Sequence, residues 1–218
     1  DKPIYIVDGH HRYGSALMYA QEKAVIGKSE HPAAHMLFAI ANTFDPGLIV
    51  FPTHRIVLPQ AITPPNLSAL EKDFLLAPMT FDELTHFVKT PKQSPQFGLY
   101  FRNNLYLCHP KDWLSMQQKW GKSIARLAVA WSDNRLLTEI CGIEESARAK
   151  KISYEKDVLQ CWEERNNSEM VIFHARPAVT DVTDVADEKK FMPQKTTYFF
   201  PKLAAGFVMR SLNQCPDK

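Results

Sequence analysis

The run Asp8-Gly9-His10-His11-Arg12 puts a carboxylate, a glycine, two imidazoles and a guanidinium into five consecutive residues. An imidazole moves protons near neutral pH. A guanidinium grips a phosphate through two parallel hydrogen bonds. A carboxylate orients a histidine or shares in holding Mg2+. Three basic side chains at the start of a helix oppose the helix dipole unless an anion lies among them. The bland alternative is a local one, with Asp8 as a helix cap, Gly9 as a turn residue and both histidines solvated.

The elements around this run decide whether it can work. Residues 4–7, β-branched and aromatic, read as a short buried strand. Behind the run, Ala16, Leu17, Ala20 and Ala24 recur on one helical face. A strand, a sharp turn and a helix would leave free backbone N–H groups at the turn, which is where anions bind. Gly9 would let the backbone approach the ligand. On this reading Asp8, His10 and His11 are the candidate catalytic residues. Gly9, His10, His11 and Arg12 would hold phosphate, and Asp8 is also the candidate Mg2+ ligand.

Further along, Thr53-His54-Arg55 offers a second histidine and arginine for the same phosphate, or else an ordinary charged strand end. Lys195 and Lys202 fall in a loop dense in aromatic residues, with Thr196 and Thr197 as neutral donors. Such a loop is either a lid over an anionic ligand or a segment packed on the core with its lysines in solvent. His31 and His35 stand four apart, but Pro32 fits a helix start better than a metal-binding helix. No Walker loop, GxGxxG or GxSxG occurs.

The rest of the chain reads as strand at 34–42 and 48–58, paired as a hairpin about the turn Asp45-Pro46-Gly47, with Pro52 as a bend. Helices are expected at 68–74 and 81–88, a second hairpin at 97–101 and 105–109, and a helix at 127–141 stopped by Gly142. Then come a helix at 154–164 capped by Ser153, a strand at 170–174, a helix after Pro177 and an ordered loop at 191–203. Hairpins interspersed with helices give an α+β fold, a mixed or antiparallel sheet with flanking helices. Two subdomains are expected, at 1–90 and 91–218, packed as one unit.

Charge balance excludes some classes. With 26 basic and 24 acidic residues the net charge is only +2, too even for a nucleic-acid binder with a basic stripe. No apolar run approaches the 18 residues of a membrane span, and no signal peptide is visible, so a cytoplasmic protein is expected. The four cysteines, at 108, 141, 161 and 215, form no CxxC pair and read as reduced thiols.

At Ile6-Val7-Asp8-Gly9-His10-His11-Arg12-Tyr13 and Ser15-Ala16-Leu17 the chain resembles a prokaryotic family, domain of unknown function 1015. Asp45-Pro46-Gly47-Leu48, Pro52-Thr53-His54-Arg55 and the stretch from Met192-Pro193-Gln194-Lys195 to Pro201-Lys202-Leu203 resemble it in the same order. Gly14 and Gln194 depart from it: an acidic residue and a second proline are usual there. The resemblance implies a C-terminal half, with a missing N-terminal half of the full-length protein as a natural partner. The turn is also similar to the ParB and sulfiredoxin superfamily and to archaeal free-serine kinase, an ADP-dependent phosphotransferase. This implies a ParB/sulfiredoxin-like element at the N-terminus and phosphate contacts from Gly9, His10, His11 and Arg12.

The expected function is therefore a small-molecule phosphotransferase that binds a nucleotide or a phosphorylated small molecule, with ADP or ATP and Mg2+ as cofactors. The alternatives are a non-catalytic nucleotide-binding switch or interaction module, and a phosphatase of a phosphorylated metabolite.

Overall fold

The structure, a computed structural model, describes residues 3–28, 30–202 and 206–212. Leu203 and Cys215, both read above from the sequence, lie outside these residues. The chain packs as two units, Asp1–Ile49 with Phe199–Lys218, and Val50–Tyr198. The cuts fall at 49/50 and 198/199 rather than at 90/91.

The first unit is built on α1 (His10–Glu22). The segment before it, residues 3–7, is irregular and not the expected strand. Residues 34–42 also form no strand: a single 3-10 turn, Pro32–Ala34, is followed by irregular chain. The physical reason is visible in the burial. A strand at 4–7 or 34–42 needs a sheet to bury its apolar face, yet Ile4, Leu37, Phe38 and Ile40 are all exposed. The core of this unit is small, made of Ala20, Val25 and Ala33 with Ala34 packed against it. His31 caps the 3-10 turn by accepting from the Ala33 N–H, a structural role for one of the two paired histidines.

The chain then enters β1 (Ile49–Phe51), breaks at Pro52-Thr53, and resumes as β2 (His54–Val57). The second unit continues with α2 (Leu67–Asp73), β3 (Phe74–Pro78), α3 (Phe81–Lys89), β4 (Phe97–Phe101) and β5 (Asn104–Pro110). Short helices α4 (Met116–Trp120), α5 (Lys122–Ala125) and α6 (Ala128–Ala130) lead into a π-helical stretch, Trp131–Ile140. Its i→i−5 pattern shows where the Cys141 N–H reaches the Leu136 carbonyl. Gly142, at φ 68°, ends it as expected. After these come α7 (Arg148–Lys151), β6 (Ile152–Glu155), α8 (Val158–Glu164), β7 (Met170–His174) and α9 (Val179–Asp187), and the last strand, β8 (Tyr198–Phe200), runs across the 198/199 cut.

Six strands make one antiparallel sheet in the order β3-β5-β4-β7-β2-β6, and β1 pairs with β8 as a separate two-stranded sheet. The α+β class expected from the sequence is the class observed, with helices on both faces of an antiparallel sheet. The expected hairpin of 34–42 with 48–58 is not formed; β2 pairs instead with β6 and β7. The helix expected at 154–164 is shorter. Residues 152–155 are strand, and the helix starts at Val158 with Asp157, not Ser153, as its cap.

Strand alternation sorts the core into two layers. Phe97, Leu99, Phe101, Met170, Ile172 and Val57 pack with Leu70, Trp131, Leu136 and Leu137 on one face. Tyr100, Val171, Phe173 and Ile56 pack with Leu84, Phe87, Val88 and Cys161 on the other. α3 seats closely here, because a Cβ on Gly98 would lie 2.9 Å from Leu84 Cδ1. Thr80 and Glu83 form a capping box that starts this helix.

Candidate functional site: the turn at residues 8–12

Gly9 stands at the N-cap of α1 with φ 80° and ψ 23°, a left-handed conformation that favours glycine. A Cβ there would lie 3.0 Å from Arg12 Nη2, so the arginine folds back against the bare backbone of the turn. The Gly9 carbonyl accepts the first helical hydrogen bond, from Tyr13 N–H at 2.9 Å. No side chain caps the helix, and its first turn holds no acidic residue. The N–H groups at the start of α1 thus have no side-chain cap and no first-turn carboxylate, and the residues that begin the helix, His10, His11 and Arg12, are exposed.

Asp8 does not cap. Its Oδ1 accepts from the Gly9 N–H at 2.9 Å, and its Oδ2 accepts from Lys202 Nζ at 3.0 Å. Arg12 Nη2 lies 3.9 Å from the same Oδ2. The Asp8 carboxyl is held below the usual range, first by the Lys202 hydrogen bond, against the opposing cost of burial, with the Gly9 N–H and the two cations adding to the lowering. Lys202 is thereby brought from the far end of the chain to the turn. Of the sequence-predicted residues, Gly9, Arg12 and Lys202 meet Asp8, and His10 and His11 lie exposed between Gly9 and Arg12 along the chain.

His54, Arg55 and Lys195 belong to the other unit. Strand β2 is buried on both faces, so its polar side chains are driven into the core. Arg55 is 1% exposed and forms a bidentate pair with Asp133, Nε to Oδ1 at 3.0 Å and Nη2 to Oδ2 at 3.1 Å. It also donates to the carbonyls of Thr53 and Gln194. The guanidinium that the sequence reading assigned to phosphate is thus fully engaged by carboxylate and carbonyl oxygens. His54, on the opposite face of the strand, accepts the His174 backbone N–H through Nδ1. Burial, reinforced by the Arg55 charge, pushes its pKa down to about 3. Lys195 is exposed in a left-handed turn, φ 53°, while Thr196 is buried and donates to the Pro193 carbonyl.

The sequence reading missed the rest of this network. His174 places Nε2 2.8 Å from Ser132 Oγ and Nδ1 3.1 Å from the Thr53 carbonyl. Burial and Arg55 push it well below its ordinary pKa. Arg148 donates to the Asp133 carbonyl at 2.8 Å and to Thr138 Oγ1 at 3.0 Å. One signal was available: Asp133 sits at i+3 from Ala130 and i−4 from Leu137, on an apolar stripe, where a charge needs a buried partner.

Among the described residues no group of three or more His, Cys, Asp or Glu could hold a metal ion, and no helix is long and apolar enough to cross a membrane. Cys108 and Cys161 are buried free thiols and Cys141 a half-buried one; burial pushes Cys141 and Cys161 up to about 12 and Cys108 higher still.

The chain belongs to the family described as "Protein of unknown function (DUF1015)", whose model matches residues 1–130. Among solved structures it is similar to a conserved hypothetical protein from Pyrococcus furiosus, at 14% identity over 89% of this chain and 68% of that one, with a TM-score of 0.42. It is also similar to free serine kinase in complex with AMP, at 14% identity over 89% and 66% of the two chains, TM-score 0.45. A mutant of that kinase in complex with ADP gives a TM-score of 0.46 at the same identity and coverage. This chain thus spans about two thirds of the length of those structures. No curated protein matches it.

Proposed function

We propose that the 8–12 turn binds the phosphate groups of a nucleotide or phosphorylated metabolite, and that the protein acts there as a small-molecule phosphotransferase. One observation carries this reading. The N-terminus of a 13-residue helix is left without a side-chain cap or an acidic residue, and the residues that begin it are His10, His11 and Arg12. Helix dipole and free N–H groups favour an anion at that point. The three basic side chains, unfavourable there on their own, become favourable once it arrives. Family membership adds no activity of its own to this reading.

In this scheme Arg12 neutralises charge on the transferring phosphoryl group. His10 or His11 takes the proton of the acceptor hydroxyl as its oxygen attacks phosphorus and the bond to the leaving oxygen breaks. Asp8 keeps Lys202 at the turn as a further cation. The residues present do not by themselves fit Mg2+: Asp8 is one carboxylate, with both oxygens engaged by Gly9 and Lys202, so no step is assigned to the metal. Arg55 and His54, committed to the sheet interior, have no part.

A thermal-shift series with ADP, ATP, pyrophosphate and phosphate on wild type and Arg12→Ala tests the binding. A ligand present at 100 times its dissociation constant adds about 2.7 kcal/mol of stability. The expected result is a rise in Tm with at least one nucleotide, lost in Arg12→Ala. A rise of the same size in both proteins would remove the turn from consideration. Release of phosphate or transfer to an acceptor then separates a phosphotransferase or phosphatase from a switch that binds without turnover.

A further inference from the structure

The geometry points to a second, separate anion site at the tip of the β4–β5 hairpin, which would take a phosphomonoester. The chain there encloses a bowl of about 410 Å3, lined among others by Tyr100, Arg102, Asn103, Arg165, Asn166 and Glu169. That is large enough for a phosphate with a small organic body attached.

Its two arginines are not tied up by carboxylates, unlike most others in this unit; among the described residues Arg176 is the further one with no carboxylate partner, and it lies outside the bowl. Arg55, Arg126, Arg135 and Arg148 each pair with a carboxylate. Among the described residues Arg102 and Arg165 have no carboxylate partner. They lie instead on aromatic faces, Arg165 4.1 Å from the Trp162 ring centre and Arg102 5.2 Å from that of Phe101. Stacking holds a guanidinium in place while leaving its edge N–H groups for an oxyanion. Arg165 uses one of its N–H groups on the Trp162 carbonyl. Glu169, the one carboxylate at the bowl, accepts from the Gln60 N–H.

Neutral donors complete the lining. Tyr100 Oη lies 3.2 Å from Asn103 Oδ1 and 3.1 Å from Asn166 Oδ1. The hydroxyl has one proton to give, so one amide accepts it through Oδ1 and the other donates to the hydroxyl oxygen through NH2, which leaves the first NH2 group without a protein acceptor among the described residues. Two guanidiniums and two amides supply more donors than one carboxylate can accept, and they match the three terminal oxygens and double charge of a phosphomonoester.

The backbone supplies an independent indication. Arg102 and Asn103 are the two central residues of the hairpin turn, with φ 50° and 63°. Glycine and asparagine suit both positions, and a long side chain at the first is disfavoured. Strain of this kind is kept where the side chain has work to do.

Site-resolved NMR of the full chain tests this with inorganic phosphate as the probe, at constant ionic strength. The side-chain amide resonances of Asn103 and Asn166 should shift and saturate. Arg102→Gly relieves the backbone and removes the guanidinium. It should leave stability unchanged or raised while weakening phosphate binding about tenfold or more, and Arg165→Gln should weaken it similarly with the turn untouched. Acetate should bind at least about tenfold more weakly than phosphate. Amide resonances that stay still, or equal phosphate affinity in wild type and both variants, would overturn the site; equal affinity for acetate would overturn its assignment to phosphomonoesters. Because the resonances report this bowl alone, the result does not depend on whether the 8–12 turn binds phosphate.

Discussion

The Arg55–Asp133 pair sets the terms at the scale of single residues. Its two charges are 1% and 4% exposed, and Asp133 is the one carboxylate that answers Arg55, while Arg148 lies 3.5 Å from its Oδ2 as a second cation. Asp133→Ala leaves the Arg55 cation in a dry interior and is expected to cost about 3–5 kcal/mol in urea unfolding. Replacing both, Arg55→Met with Asp133→Leu, should cost clearly less; equal losses would mean that the ion pair is not what holds β2 to the π-helical stretch. The buried histidines give a pH dependence with a definite sign. His54 titrates near 3 in the folded chain against an ordinary value of 6.5, and His174 is lowered as well. Between those limits the unfolded chain binds more protons, so stability is full above pH 6.5 and falls as the pH drops. The slope should approach about 1.4 kcal/mol per pH unit for each histidine. Unfolding free energies at pH 7.5, 6 and 5 check this, and His54→Gln should remove one proton's share of the slope. A flat profile between pH 7.5 and 5 would contradict the burial of both rings.

Elements were legible in the sequence where local chemistry and burial agree. The hairpin of β4 and β5, the helices at 67–73 and 81–89, and the strand at 170–174 all stand close to where periodicity puts them. β3 was not legible, because Phe74–Pro78 follows a helix without a turn signal and is made a strand by its partner β5. Strands at 4–7 and 34–42 were over-read: their residue types suit a sheet, but no sheet receives them in the structure. The turn at 8–12 was legible because it is local, five residues at a helix start. The fate of Arg55 was not, since it depends on a carboxylate 78 positions away. Gly98 shows how tightly an element can be fixed. Gly98→Ala drives a methyl against Leu84 and Phe173 Cβ, 2.9 and 3.2 Å away, and is expected to cost about 1–3 kcal/mol. A urea midpoint equal to that of wild type would show that α3 can move off the sheet freely.

At the scale of the molecule the two units differ in how they are held. The second has two apolar layers on either side of a six-stranded sheet. Among the described residues the first buries Ala20, Val25 and Ala33 in a small cluster and Phe199 outside it, and leaves Ile4, Met18, Leu37, Phe38, Ile40 and Phe44 exposed. A unit with so little buried apolar surface opens at low free energy. Backbone amides of α1 should therefore exchange with deuterium well before those of β4, β5 and β7. Equal protection would show that the first unit is stabilised by something other than its own core. Low local stability also suits a binding element, because a phosphate held at the 8–12 turn would order it, and nucleotide should slow exchange in α1 more than in the sheet.

The most direct test of the central claim follows the backbone amides of His10, His11 and Arg12 by NMR while ADP is added. The account predicts that these three resonances shift together and saturate, and that the response disappears in Arg12→Ala. Saturable binding of ADP that leaves all three unmoved would place the nucleotide elsewhere and contradict the account.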